Sequence, residues 1–248
     1  MATTVPPSPE PALSEGQRLI DVFIAPSKTF TDLRRNASWW APFLIIVIIS
    51  AIFSYVVDQK VGFRKVVDNQ IQQQPKAAER LDQMPAAQRE KALERQVSIT
   101  KAVTYVVPLI GLIVYAIFAG VLLATIKVVT NAEVAFGALF ALIVYTRLPE
   151  VVRAALVILS LLAGVSSDSF DIKNPVATNP AYFLDPTGSP VLRAVLSSLD
   201  VITIWTLVLT AIGVACVAKV KRGTAFAIVF GWFGVVVLFR IGIAAIFS

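Results

Sequence analysis

Residues 39–57 read WWAPFLIIVIISAIFSYVV, nineteen positions without a charged side chain. As an α-helix this run is about 28 Å long at 1.5 Å per residue, close to the roughly 30 Å hydrocarbon core of a bilayer. Trp39 and Trp40 open it, and amphipathic rings of this kind settle at headgroup level. A helix that is apolar on every side has no stripe to turn toward water, so the stretch predicts a membrane span rather than a half-buried helix.

Working outward, the pattern recurs. Residues 103–126 form a second uncharged run, in which Ala116, Gly120 and Ala124 put small side chains on one face at four-residue spacing, where a neighbouring helix can approach closely. Residues 133–163 hold two apolar halves joined by Arg147, Leu148, Pro149 and Glu150. Each half is shorter than the roughly 17–25 residues a span requires, so one long helix kinked at Pro149 is the simplest solution and a re-entrant hairpin the alternative. Residues 201–218 and 224–247 supply the fourth and fifth spans, separated by the basic turn Lys219, Lys221, Arg222, Gly223 and interrupted once by Arg240. The fold class that follows is all-α: a polytopic transmembrane helix bundle of about five spans.

The connecting segments differ in kind. Residues 58–102 are rich in strong helix formers, with Pro75 and Pro85 suited to first-turn positions, and predict an extramembrane helical insertion leading directly into the second span. Residues 166–189 carry Pro175, Pro180 and Pro186 among Asn, Asp, Gly and Ser, the composition of an aqueous loop. Before the first span, Ser14 and Gln17 have capping-box spacing, and Leu19, Ile20, Phe23 and Ile24 recur at helical intervals up to Pro26. With Phe30 and Leu33 apolar and Lys28, Arg34 and Arg35 basic, residues 14–38 read as an interfacial amphipathic segment, or equally as a lead-in packed on the bundle. The proline-bearing residues 1–13 read as a disordered tail.

Composition excludes most other classes. Apolar residues make up 56% of the 248 and charged residues 15%, and the mean hydropathy is +0.75. The net charge of +6 is scattered over loops with no basic stripe, which argues against nucleic acid and for anionic lipid headgroups as the polar partner. The chain has no histidine, so serine triads, cysteine proteases and most zinc and haem sites lose their usual proton carrier or ligand. Cys216, the single cysteine, lies in an apolar run and reads as a packing residue. No glycine-rich phosphate loop or nucleophile elbow occurs, so no cofactor and no enzymatic activity are expected.

The polar residues placed where lipid should forbid them form the candidate site. Arg147, Glu150 and Arg153 lie at three-residue spacing, so the carboxylate can pair with both guanidinium groups on one helix face. Tyr145 and Pro149 flank them at the expected kink. A charge at a span centre costs about 2.5–3.5 kcal/mol on insertion scales, so such groups face the bundle interior or a water-filled cavity. Asp200 and Arg240 lie at comparable distances from the basic turn, so an antiparallel hairpin predicts an ion pair between them.

Several local patterns, in this order, resemble the Yip1-domain family of membrane proteins, and in particular its bacterial branch. They are Phe23, Pro26, Thr29, Phe30 and Leu33 leading to Trp39, Trp40 and Pro42; Tyr145 with Leu148 and Pro149; then Leu199, Asp200 and Trp205, with Gly213 and Lys219 after them. The resemblance runs from about Leu13 to the C-terminus. It implies a five-helix bundle with a cytoplasmic N-terminus and, in eukaryotic relatives, roles in vesicle trafficking through Rab-type GTPases. The expected location is the bacterial cytoplasmic (inner) membrane, or an endomembrane in a eukaryote. The basic turn then faces the cytoplasm, although residues 58–102, with nine Lys and Arg against six Asp and Glu, would lie outside. Two functions remain: a non-enzymatic membrane-organising protein that contacts lipid, a protein partner or its own copies, and a small transporter or channel using Arg147, Glu150 and Arg153.

Overall fold

The computed structural model describes residues 11–185 and 188–246, which leaves most of the expected tail and the last two positions outside it. Eleven α-helices and two short 3-10 turns make up the described regular structure, and no strand occurs among the described residues. In order they are α1 (Glu15–Ile24), α2 (Pro26–Asp32), α3 (Trp40–Lys60), α4 (Phe63–Gln72), α5 (Pro75–Asp82), α6 (Ala86–Thr130), α7 (Phe136–Tyr145), α8 (Leu148–Leu162), α9 (Pro190–Ser198), α10 (Val201–Ala218) and α11 (Arg222–Ile246). Four of them, α3, α6, α10 and α11, are long and apolar enough to cross a membrane.

The fifth crossing is made by two helices in series. The Trp39 ring meets that of Phe140 in α7, at the start of α3, while Val57 near the end of α3 clusters with Val157 and Leu161 of α8. The α7–α8 pair therefore runs alongside α3 in the same direction, from one end of the bundle to the other. This arrangement is one broken span rather than a hairpin that turns back. The break at Thr146 and Arg147 has its cause in Pro149, whose ring clashes with the preceding turn and whose nitrogen donates no hydrogen bond.

The other helices alternate in direction. Ser54 Oγ donates to the Thr104 carbonyl at 3.4 Å, and Asp58, a turn later in α3, binds Lys101, earlier in α6, so α6 runs antiparallel to α3. Gly213 of α10 faces Leu142, and Trp232 of α11 bonds Thr125 of α6. One end of the bundle thus carries Arg34, Lys127, Lys219 and Arg222, and the other carries both long connections.

Those two connections dock on each other. The segment predicted as helical is three pieces, α4, α5 and the first turns of the 45-residue α6. Asn69 of α4 donates to the carbonyls of Ser167 and Phe170 at 2.9 and 3.0 Å, and Lys65 pairs with Asp168 at 2.7 Å. Arg64 binds Glu90 at 2.8 Å, a hydrogen bond that holds the Glu90 carboxyl below the ordinary carboxylate range. Helix α9, which the periodicity does not reveal, follows the loop and packs against α11.

The N-terminal segment packs on the bundle. Ser14 and Gln17 close the expected capping box on α1. Val22, Phe30 and Leu33 are fully buried in the main core with residues of α7 and α10. Phe23 meets Trp205 with ring centroids 5.5 Å apart, and Trp205 lies about 20 Å along α10 from Ala218 at 1.5 Å per residue. The α1–α2 hairpin therefore reaches about three quarters of the way along α10 from its basic end.

Candidate functional site

Two polar clusters meet at the α7–α8 break. The first is built by the N-terminal hairpin. Arg18 is the largest fully buried side chain at 1% exposure, and its guanidinium pairs with Asp32 at 2.7 Å and Glu15 at 3.3 Å. Thr29 Oγ1 donates to the Arg18 carbonyl, and the Tyr145 hydroxyl donates to Glu15 at 3.0 Å. A buried guanidinium is tolerated when its donors are satisfied, and here α1 and α2 each contribute a carboxylate while Tyr145 of α7 holds one of the two.

The second cluster lies on α8 and the start of α10. Arg153 pairs with Glu150 at 3.1 Å and reaches Asp200, itself only 2% exposed. Asp200 caps α10 by accepting from the Thr203 N–H at 2.8 Å. Its other oxygen accepts from Thr178 Oγ1 and from Asn179, so the loop before α9 closes over it, and the Val201 N–H donates to the Thr178 carbonyl at 3.0 Å. The carboxylate is thereby enclosed by α8, α10 and the loop before α9.

Two expectations are corrected here. Asp200 pairs with Arg153 instead of Arg240, and Arg240 donates to Ser197 Oγ at 3.1 Å. The depth argument places Arg240 within a turn of Asp200, but equal depth does not fix the direction a side chain faces, and Asp200 turns toward α8. Likewise, Glu150 holds Arg153 alone among the described residues. Arg147 sits in the break as the residue before α8, and its guanidinium turns to α6, 5.6 Å from the Tyr115 ring centroid and 5.8 Å from that of Phe118. Its Nε is buried without a hydrogen-bond partner.

Tyr145 ends α7 and joins the first cluster through its bond to Glu15, and Pro149 lies in the first turn of α8 next to Glu150, whereas Glu15, Arg18, Asp32, Thr178 and Asn179 had no sequence signal beyond ordinary surface polarity. Neither described cavity reaches Glu150. One, of about 350 Å³, lies between α6 and α11; the other, of about 220 Å³, lies at the basic end beside Arg34, Glu133 and Lys219. No group of three or more potential metal ligands occurs among the described residues.

An all-helical bundle with a charged network inside it and apolar faces outside defines an integral, polytopic membrane protein. The Yip1 domain model matches residues 20–243, nearly the whole chain. The chain belongs to the Yip1-domain family. Comparison with curated proteins and with solved structures gives no match.

Proposed function

We propose that this protein is a non-enzymatic membrane-organising protein that works through contacts with lipid and with protein partners or its own copies. The observation that carries the reading is the closure around Asp200. Arg153, Thr178, Asn179 and Thr203 use its oxygens to join α8, α10 and the loop before α9, the work of a staple rather than of a site that exchanges ions. The orientation that fits has the N-terminus in the cytoplasm. That end then presents Arg34, Arg35, Lys127, Lys219, Lys221 and Arg222 against Glu133, while the nine Lys and Arg of residues 58–102 lie at the far end, where Arg64, Lys65, Arg89 and Lys101 are paired with carboxylates. In a bacterium this is the cytoplasmic membrane.

Reconstitution into liposomes tests the reading. The expected result is no ion or solute flux above that of empty vesicles, with Asp200→Asn lowering thermal stability. The second reading, a small transporter, is favoured by Arg147, a guanidinium at membrane depth with aromatic rings but no carboxylate, and by Glu150, whose side chain is 39% exposed. A flux abolished by Glu150→Gln in a variant of unchanged stability would replace the first reading with the second.

A further inference from the structure

The cavity between α6 and α11 has the dimensions of a single lipid chain. Its walls include Thr125 and Val129 on one side and Thr224, Gly231, Trp232 and Val235 on the other. From Thr224 to Val235 is about 16 Å at 1.5 Å per residue, half of the roughly 30 Å hydrocarbon core and so the depth of one leaflet. At about 350 Å³, and lined almost wholly by apolar atoms, the groove suits a flexible hydrocarbon chain.

The groove is stabilised and open. Trp232 Nε1 donates to Thr125 Oγ1 at 3.0 Å and ties α11 to α6, while a Cβ added at Gly231 would meet nothing within 4 Å. At the mouth, Lys221 stands immediately before α11, three positions ahead of the groove-lining Thr224, and its carbonyl accepts from the Ala225 N–H. It is exposed, and among the described residues it has no ion-pair partner; Lys219 and Arg222 stand in the same turn. Apolar walls one leaflet deep beneath a cationic mouth match a phospholipid with an acidic headgroup.

We propose that this groove holds one acyl chain of an acidic phospholipid whose headgroup rests on Lys221 and its turn. The proposal rests on the lipid-contact part of the function above. Native mass spectrometry of the full chain in detergent, titrated with dioleoyl phosphatidylglycerol or dioleoyl phosphatidylcholine, tests it. The wild type should retain phosphatidylglycerol about tenfold more tightly, Lys221→Gln should bring the two lipids together, and Gly231→Leu should lose about tenfold for both at an unchanged unfolding midpoint. A preference for phosphatidylglycerol that survives Gly231→Leu overturns the groove while leaving lipid contact intact; equal retention of both lipids by the wild type overturns the lipid reading as well. If Gly231→Leu does not fold, wild-type protein is photolabelled with phosphatidylglycerol carrying a diazirine on its acyl chain. Adducts at Val129, Gly231 and Val235 are the expected result, and adducts spread equally over Leu238 and Phe239 overturn the site.

Discussion

Arg18 shows how burial changes the meaning of a charge. In sequence it is the polar face of an amphipathic helix, yet α2 and α7 close over it, so its partners become structural necessities. Arg18→Gln leaves Asp32 with no partner in the interior and should destabilise by about 3–5 kcal/mol, read as a fall in the detergent unfolding midpoint. Tyr145→Phe removes one hydrogen bond to a carboxylate and should cost about 1.5–3 kcal/mol in the same assay. At the second cluster, Asp200→Asn should also cost about 3–5 kcal/mol and be coupled to Arg153→Gln in a double-mutant cycle. Arg240→Gln should stay within about 1 kcal/mol and add independently, since among the described residues it is bonded to Ser197 alone. The sequence marked Glu150, Arg153 and Asp200 because a charge inside an apolar run is visible without a structure. It did not mark Arg18 or Asp32, because whether an amphipathic face meets water or another helix is decided by tertiary packing.

Among the elements, α10 packs against α2, α7, α8 and α11, and Gly213 sets how closely two of them approach it. A Cβ there would stand 2.6 Å from Leu142 Cδ1 and 3.2 Å from Phe30 Cγ, so α2 and α7 both use the missing side chain. Gly213→Ala should therefore destabilise by about 1–3 kcal/mol despite alanine's better helix propensity, with the loss measurable by thermal unfolding and absent from Gly231→Ala, which faces open space. The five apolar runs were legible because hydrocarbon demands an uninterrupted length, and the α7–α8 break because Pro149 cannot continue a helix. Helix α9 was not legible: after a loop of prolines and small polar residues, nine residues give too few turns for a period to stand out. Three pieces where one helical insertion was expected follow from the breaks at Gln74 and Pro85, both of which end a turn before a new helix starts.

For the molecule as a whole, the proposed orientation makes a direct prediction. In a Cys216→Ser background, Ser189→Cys should react with a membrane-impermeant maleimide on intact cells, and Lys221→Cys only after permeabilisation; the reverse pattern inverts the topology. The class of the molecule was readable from hydropathy, but the way it closes was not, since the segment made first packs on helices made last. Phe23 waits for Trp205, and Glu15 for Tyr145. At a ribosomal rate of about 5–20 residues per second, the 182 positions between Phe23 and Trp205 take roughly 10–35 s to appear. Until then the α1–α2 hairpin lacks its aromatic partner, and until Tyr145 is made its hydroxyl partner too, with Arg18 and Asp32 holding each other. Maturation therefore ends at the N-terminus, and a ribosome stalled before the fourth span should leave that terminus open to protease.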